Sequence, residues 1–251
     1  MLTQAKTSSE ITKMRESGRI LATILELLKT RAEPGLSTKE LANYATEELH
    51  KLGGEPTFLN YQGFPDVLCT SINNEVVHGI PSTKKIIRDG DIVSLDFGVT
   101  YQGMITDSAI SLIAGKARAE DRELLSVTER SMYAGIDTLR DGVRTGDIGN
   151  AVETVLNEHK YGVVRDLVGH GVGHHLHEDP NIPNYGHKGT GTALHSGATI
   201  AIEPMANLGS YKVFIADDGW TILTQDGSRS AHFEHTVLIT EEGSEILTTL
   251  S

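Results

Sequence analysis

Residues 91–108 read DIVSLDFGVTYQGMITDS, and this stretch indicates both the fold and the chemistry of the chain. Two runs rich in β-branched and other apolar residues flank the turn-forming triplet Tyr101-Gln102-Gly103. Such runs on either side of a glycine-containing turn are typical of a β-hairpin. The pattern therefore predicts antiparallel strands over residues 91–99 and 104–113.

The two aspartates of this hairpin are predicted to face each other. If the hairpin folds symmetrically about Tyr101 and Gln102, Asp96 lies directly opposite Asp107, with about 4.5–5.5 Å between the β-carbons. Two carboxylates that close are destabilising unless a positive charge lies between them. The alternative interpretation is that one or both aspartates form hydrogen bonds with the backbone of the turn. Asp96, however, lies well before the turn in an apolar strand, where a carboxylate needs a partner.

Helical and strand patterns recur on both sides of the hairpin. Apolar residues follow helical spacing over residues 9–30, and Ser37 with Glu40 forms a capping-box pattern for a second helix that ends at Gly53-Gly54. The later elements are two helices over residues 119–140 and 146–160, and strands over residues 198–206, 211–216, 220–224 and 231–239. Helices followed by strands, twice along the chain, predict an α+β class with helices packed on an antiparallel sheet.

A segment rich in glycine and histidine, residues 169–180, reads GHGVGHHLHEDP. Its alternating glycines disfavour a helix and allow close approach of the backbone. The HExxH zinc helix is excluded, because Asn181 occupies the position of its second histidine. We interpret His174 and His175 as structural residues rather than functional ones.

Two glutamates extend the set of acidic candidates. Glu203 ends one apolar strand and Glu234 enters another, and either residue alone could simply mark where a strand reaches solvent. Together with Asp96, Asp107 and a histidine of the 169–180 segment, they form an oxygen-rich set of donors. Such a set suits Mn, Fe, Co or Zn and can bridge two ions.

Five sequence blocks, taken in order, resemble the type I methionine aminopeptidases. These blocks are Asn74–Pro81, the Asp96/Asp107 hairpin, Gly169–Gly173 with His177, Ile202–Pro204 and His232–Thr236. The resemblance covers essentially the whole chain. It implies the pita-bread fold in a single catalytic domain, residues 1–251, with pseudo-symmetric halves at roughly 1–115 and 116–251. It also implies removal of the initiator methionine from nascent proteins, with a preference for a small second residue.

The same resemblance implies roles for individual residues. Two divalent ions, drawn from Co, Mn, Fe or Zn, would be held by Asp96, Asp107, His170, Glu203 and Glu234. His177 would contact the substrate carbonyl oxygen, and His78 would contact the scissile nitrogen or help to protonate the leaving amine. Glu203 would also be a proton shuttle.

An apolar pocket for the methionine side chain is implied as well. Its lining would be Tyr61, Phe64, Cys69, Leu176 and Trp220, and plain core packing is the alternative interpretation for each. Family members usually carry an aromatic residue at the position of Leu176 and often a tyrosine at that of Phe64. The shape of the pocket is therefore expected to depart from the family pattern.

Composition narrows the possible partners and the compartment. The formal net charge is −12, and no cluster of Lys and Arg is present, so a nucleic-acid binder that relies on bulk electrostatics is disfavoured. Cys69 is the single cysteine, so no internal disulfide is possible. No signal-peptide core or spanning apolar run is visible. We expect a cytoplasmic monomer without membrane contact, whose partners are the N-termini of nascent chains, with the ribosome as one place to meet them.

Two alternative functions are compatible with these sequence patterns. An aminopeptidase P or prolidase shares the fold and cuts bonds that involve proline, but usually carries a separate N-terminal domain. A non-catalytic binding module on the same fold typically loses metal ligands, whereas the five ligand positions and both histidines, His78 and His177, are filled here.

Overall fold

The computed structural model describes residues 3–250 of the chain. Within this range the α-helices are α1 (Ser8–Arg31), α2 (Thr38–Leu52), α3 (Ala119–Ile136) and α4 (Thr145–Glu158). The strands within it are β1 (Glu55–Pro56), β2 (Leu68–Ile72), β3 (Glu75–Val77), β4 (Ile92–Tyr101), β5 (Met104–Ile113), β6 (Gly162–Val163), β7 (Gly169–Gly171), β8 (Glu178–Ile182), β9 (Thr199–Ile202), β10 (Met205–Asn207), β11 (Val213–Ile215), β12 (Ile222–Thr224), β13 (Ser230–His232), β14 (Glu234–Ile239) and β15 (Ser244–Ile246). A short 3-10 helix spans Tyr61–Gly63. Helices combined with antiparallel strands confirm the predicted α+β class.

Capping explains where the first two helices begin. The Ser37 side chain accepts from the Glu40 amide while the Glu40 carboxylate accepts from the Ser37 amide, so the predicted capping box is present. Thr7 and Glu10 form a second capping box at the start of α1 that the sequence analysis did not identify. A helix N-cap of this kind is worth about 1 kcal/mol. Gly53, with φ of 77°, ends α2 in the left-handed conformation that glycine adopts without strain.

The third helix is shorter than its apolar pattern predicts. The prediction extended to residue 140, but α3 ends at Ile136. The chain then turns, with the amide of Leu139 donating to the carbonyl of Ile136. Leu139 is buried in this turn. The apolar pattern therefore continues past the end of the helix because Leu139 packs in the core, and not because the helix continues.

A nine-stranded antiparallel sheet forms the framework of the molecule. Its order is β1-β4-β5-β14-β9-β7-β8, with β2 also paired to β4 and β15 also paired to β14. Two three-stranded sheets, β13-β10-β6 and β11-β12-β3, accompany it. The central strands β4, β5 and β14 thus bring distant parts of the sequence side by side.

The predicted register of the hairpin is wrong. Tyr101 pairs with Met104, so the turn is centred on Gln102 and Gly103 rather than on Tyr101 and Gln102. Both turn residues have positive φ, 49° and 81°, as a two-residue type I′ turn requires. Asp96 consequently faces Ala109, and Asp107 faces Gly98. The two aspartates are diagonal neighbours on one face, where β-carbons are typically about 7 Å apart rather than 5 Å.

Two large apolar clusters support the sheet. One contains Leu21 of α1 and Phe97 of β4, and is built almost entirely from the first part of the chain. The other contains Leu124 of α3 and Val237 of β14. This distribution supports a division into two halves near residue 115, which stays a prediction. None of the helices between residues 3 and 250 is long and apolar enough to cross a lipid bilayer.

Candidate active site and metal centre

A row of residues across three central strands forms the floor of the candidate site. Asp96 of β4 pairs with Ala109 of β5, and Ala109 in turn pairs with Glu234 of β14. The methyl side chain of Ala109 leaves space between the two carboxylates. Asp107 lies two residues before Ala109 and therefore points to the same face of the sheet. Three carboxylates thus converge over one small residue.

Hydrogen bonds between side-chain hydroxyls and the backbone fix the strands that carry these acids. The amide of Asp107 donates to Oγ1 of Thr236 at 2.9 Å, and the same hydroxyl donates to the Asp107 carbonyl at 2.8 Å. Ser108 Oγ donates to the carbonyl of Glu234 at 2.5 Å. These bonds lock β5 to β14, so the carboxylates of Asp107 and Glu234 are held by rigid strands rather than by loops.

His170 lies beside the carboxylates, and its hydrogen bond defines its tautomer. It is buried in the middle of β7. Its Nδ1 lies 2.9 Å from the carbonyl of Gly171, and because a carbonyl can only accept, Nδ1 carries the proton. The lone pair of Nε2 is therefore free, as in metal-ligating histidines. One ligand atom each from Asp107, His170 and Glu234 lies within 4.8 Å of the others.

Glu203 is placed at the site by a break between two strands. The predicted strand over 198–206 is interrupted, since β9 ends at Ile202 and β10 begins at Met205. Pro204 has no amide to donate to a strand ladder. The Glu203 carboxylate lies between two imidazoles, with Oε1 3.5 Å from Nε2 of His170 and Oε2 3.7 Å from Nε2 of His232.

The four acids strongly perturb one another. Burial raises the pKa of Asp107 to about 7. Burial, and then repulsion from Asp107 and Glu203, raises the pKa of Asp96 well above its usual value. The pKa values of Glu203 and Glu234 are also raised well above their usual range, first by burial and then by repulsion from Asp107. Without a cation between them, these carboxylates resist being charged together.

Unpartnered oxygens provide a test of whether a metal fits. Within residues 3–250, Asp96 Oδ1, Asp107 Oδ1 and Glu234 Oε1 are buried and lack a hydrogen-bond partner. Buried polar atoms are normally paired. Carboxylate oxygens without donors, together with the free Nε2 of His170, are the ligands that divalent transition metals accept. The residues present therefore fit a metal centre.

A cavity of about 160 Å³ lies over these groups. All twelve residues that the sequence analysis assigned to metal, catalysis or the methionine pocket line this cavity: Tyr61, Phe64, Cys69, His78, Asp96, Asp107, His170, Leu176, His177, Glu203, Trp220 and Glu234. One part of the lining is acidic and the other is apolar. Phe58 and Gln62 also line it but were not predicted. Phe58 stood out in the sequence only as one aromatic among several, and nothing distinguished Gln62.

Two histidines stand beside the carboxylates. The rings of His177 and His170 are 4.3 Å apart at their centroids, and Nδ1 of His177 is 2.8 Å from the Tyr61 hydroxyl. Burial lowers the pKa of His177. Burial, and then the positive charge that His177 can carry, lowers the pKa of His78 to about 4. Both imidazoles are therefore neutral at neutral pH, and each carries one N–H donor.

His78 also has an unusual backbone. Its φ is 59°, a left-handed conformation that costs a residue other than glycine on the order of 1–3 kcal/mol. The neighbouring strand β2 holds it there, because Gly79 donates to Ser71 Oγ at 3.1 Å and its carbonyl accepts from Thr70 at 2.8 Å. Strain of this kind at a cavity-lining residue is typical of functional positions.

The apolar part of the cavity is a small aromatic enclosure. Phe58, Phe64, Cys69 and Leu176 form one buried cluster. The ring of Trp220 meets that of Phe64 edge-on at 5.2 Å between centroids. Burial, followed by repulsion from Asp96, raises the pKa of the Cys69 thiol. Cys69 is therefore a neutral apolar wall residue rather than a nucleophile.

His174, His175 and His232 belong to the motifs described above but lie outside the cavity lining. His174 contacts Glu10 of α1, with 2.7 Å between Nε2 and Oε1, and His175 is exposed. Both locations fit the structural interpretation. His232, which received no role from the sequence, is 1% exposed, and neither of its ring nitrogens has a hydrogen-bond partner within residues 3–250.

The chain is similar to a known protein family and to named proteins of that family. The model of metallopeptidase family M24 matches residues 12–241. Methionine aminopeptidase 1 of Bacillus subtilis is 46% identical over 243 residues, which cover 97% of this chain and 98% of the relative. A methionine aminopeptidase of Clostridium perfringens is 45% identical, with 97% of each chain covered.

Solved structures agree with the sequence comparison. The crystal structure of methionine aminopeptidase from Thermotoga maritima matches with a TM-score of 0.97 and 43% identity, over 99% of this chain and 100% of that one. A prolidase from Pyrococcus furiosus has a TM-score of 0.79 at 24% identity, and 66% of its length is covered. At that identity the prolidase shows only a shared fold, which is the predicted pita-bread fold.

Proposed function

The chain belongs to metallopeptidase family M24, and to the methionine aminopeptidases within it, and from that premise we propose that it removes the N-terminal methionine from nascent proteins. The reaction is a metal-assisted hydrolysis of the first peptide bond, with a preference for a small second residue. One observation carries the proposal. A single small cavity joins four acidic side chains, three of which have a buried oxygen without a partner within residues 3–250, to an apolar enclosure bounded by Cys69, Phe64 and Leu176.

Five residues are proposed to hold two divalent ions of Co, Mn, Fe or Zn: Asp96, Asp107, His170, Glu203 and Glu234. When bound, such ions would lower the pKa of a water molecule at the site and polarise the scissile carbonyl. Glu203 has a second proposed role. Its carboxylate, beside the bound water, would take a proton from the attacking water and pass it to the leaving amine.

The two neutral histidines are proposed to act on the peptide bond. His177 donates its N–H to the carbonyl oxygen, where negative charge develops as the bond is attacked. The Tyr61 hydroxyl, 2.8 Å from Nδ1 of His177, orients the ring. His78 contacts the scissile nitrogen through its N–H and so helps the departure of the amine, while the proton that the amine receives comes from Glu203. Because the pKa values of both histidines are lowered, neither adds a competing charge.

The apolar enclosure is proposed to take the methionine side chain. Tyr61, Phe64, Cys69, Leu176 and Trp220 offer aromatic and sulfur-containing walls, and a thioether makes favourable contacts with aromatic rings. Leu176 replaces the aromatic that the family pattern has at this position, and Phe64 lacks the hydroxyl of the usual tyrosine. The wall around the methionine thioether is therefore more aliphatic here.

The proposal extends to the substrates, the compartment and the oligomeric state of the protein. The substrates are N-termini of nascent polypeptides, encountered at the ribosome or after release. The protein acts as a cytoplasmic monomer of one catalytic domain with halves near residues 1–115 and 116–251. Its formal net charge of −12 disfavours binding to nucleic acid or to anionic membranes.

Release of methionine from Met-Ala-Ser tests the proposal. Metal-stripped protein is assayed alone and with Mn, Co, Fe or Zn added back, and Lys-Ala-Ser is the matched control peptide. We expect release only from Met-Ala-Ser and only with metal. Cleavage of Xaa-Pro peptides instead would indicate the prolidase alternative. Absence of hydrolysis with every metal and peptide would indicate a binding module.

A further inference from the structure

A buried lysine from the N-terminal segment lies next to the segment that carries His177. The Lys6 side chain is fully buried, and Nζ is 3.2 Å from Oε2 of Glu178, whose side chain is 3% exposed. The ammonium group also donates to Thr3 Oγ1 at 3.1 Å and to the carbonyl of Gln4 at 2.9 Å. All three of its protons are therefore used, which is what a buried ammonium requires.

The other oxygen of Glu178 closes a loop. Oε1 accepts from the amide of His174 at 2.7 Å and from the amide of His175 at 3.0 Å. Glu178 thus ties the start of the loop 172–178 to its end. The loop carries Leu176 and His177 between these two anchor points, and it has no regular helix or strand before Glu178.

Further contacts show how tightly the lysine is seated against this loop. Gly173 has a φ of 144°, and a β-carbon there would collide with Cε of Lys6. The carbonyl of Gly173 accepts from Ile105 of β5 at 2.8 Å. The backbone of the N-terminal segment is held as well, because the Lys6 amide donates to the Gly197 carbonyl at 2.8 Å and the Thr3 amide to that of Asp179 at 2.6 Å.

We propose that Lys6 is a positioning residue for the hydrolysis, acting through Glu178 and the loop 172–178 to set the ring of His177. This role rests on the proposed function, in which His177 contacts the scissile carbonyl. Removing the ammonium leaves the Glu178 carboxylate buried without its counter-ion, and a buried unpaired charge is costly. The carboxylate then turns toward water and releases the amides of His174 and His175. The ring of His177 loses its fixed position.

The first test is the substitution Lys6→Met, which keeps the length of the side chain. Lys29→Met is the matched control, since Lys29 pairs with Glu26 at 3.2 Å while both side chains are about half exposed. We expect Lys6→Met to lower kcat for Met-Ala-Ser roughly ten- to a hundred-fold, as a small displacement of a catalytic group does. Metal content should be unchanged, and Lys29→Met should behave as wild type. An unchanged kcat for a folded Lys6→Met protein would overturn the proposal.

A double-mutant comparison separates positioning from a general structural role. If Lys6 acts through His177, Lys6→Met should lower kcat little further in a His177→Ala background. The same fold-loss in both backgrounds would mean that the lysine does not act through this histidine. Should Lys6→Met fail to fold, Glu178→Gln replaces it. The carboxylate uses one oxygen for Lys6 and the other for the loop amides, whereas glutamine has a single oxygen and cannot serve both, so the same coupling to His177→Ala is expected.

A spectroscopic measurement tests the proposal independently of activity. In protein labelled with ¹⁵N-histidine, the His177 signals are identified from their loss in His177→Ala. We expect Lys6→Met to shift or broaden these signals and to leave those of His159, which contacts Glu123, in place. Unshifted His177 signals would refute positioning even if the wild-type protein cleaves Met-Ala-Ser. If the wild type cleaves no peptide, the proposed function fails while the shift still reports on Lys6.

Discussion

Replacing His232 with leucine is expected to stabilise the protein. His232 is 1% exposed, and both of its ring nitrogens lack a hydrogen-bond partner within residues 3–250. Its contact with Glu203, at 3.7 Å, is too long for a hydrogen bond. Leucine has a similar volume, and His232 pairs with the buried Met205. The substitution therefore exchanges unsatisfied polar atoms for apolar packing.

The size of the gain follows from the cost of leaving buried polar atoms unpaired. That cost is about 1–3 kcal/mol, so the free energy of unfolding should rise by about that amount. For a chain of this length, 1 kcal/mol corresponds to roughly 2 °C in Tm. His232→Leu should therefore raise Tm by about 2–6 °C.

The assay is calorimetry of the metal-free protein at pH 8. The ordinary pKa of histidine is about 6.5, so the imidazole is neutral in both the folded and the unfolded chain at this pH, and no proton exchange contributes. His235→Leu is the matched control, because Nδ1 of His235 lies 2.9 Å from Thr248 Oγ1. Losing that partnered ring should lower Tm. A fall in Tm for His232→Leu comparable to that of the control would refute the reasoning.

Three further predictions concern the site and its surroundings. Asp96→Asn should lower metal affinity more than about 100-fold and abolish activity. His177→Ala should keep its metal and lower only kcat. Equal loss of metal from the two variants, measured by elemental analysis, would contradict the proposed roles. Gly98→Ala should lower the free energy of unfolding, measured by urea titration, by about 1–3 kcal/mol. The reason is that the added β-carbon would lie 2.7 Å from Cε1 of Phe58. An unchanged urea midpoint would contradict this prediction. Burial alone would raise the pKa of Glu178, but hydrogen bonds and the Lys6 charge lower it below 4.5. The unfolded chain then binds more protons than the folded one, so the stability that this carboxylate contributes is present above pH 4.5 and lost below it; thermal unfolding of Glu178→Gln should show a shallower acid loss than wild type.

Local sequence rules predicted the elements of this chain where one interaction dominates. The pair Ser37 and Glu40 marked the start of α2, because a capping box needs only side chains three residues apart. The hairpin strands followed from their apolar runs. The predicted register was wrong because the turn was centred on Tyr101 and Gln102, which leaves Gly103 outside the two central positions. A type I′ turn requires positive φ at both central residues, and Gly103 adopts it without strain.

The candidate site was predictable by its residue types but not by its geometry. Asp96 and Glu234 were conspicuous as carboxylates in apolar strands. Nothing in the sequence showed that Ala109 lies between them, because that depends on β14 pairing with β5. The unpartnered ring of His232 and the burial of Lys6 against Glu178 were equally invisible. Each arises from contacts between segments far apart in the chain.

The order of strands in the central sheet has a consequence for how the protein acquires its metal. Asp96 and Asp107 belong to a hairpin that can form locally, whereas Glu234 reaches them only after β14 has inserted between β5 and β9. Pairings between such distant segments form slowly. A partly folded chain therefore offers two carboxylates but no closed set of ligands. The absorption of bound cobalt during refolding would then rise only once β14 has paired with β5, so metal binding would report the formation of this distant pairing.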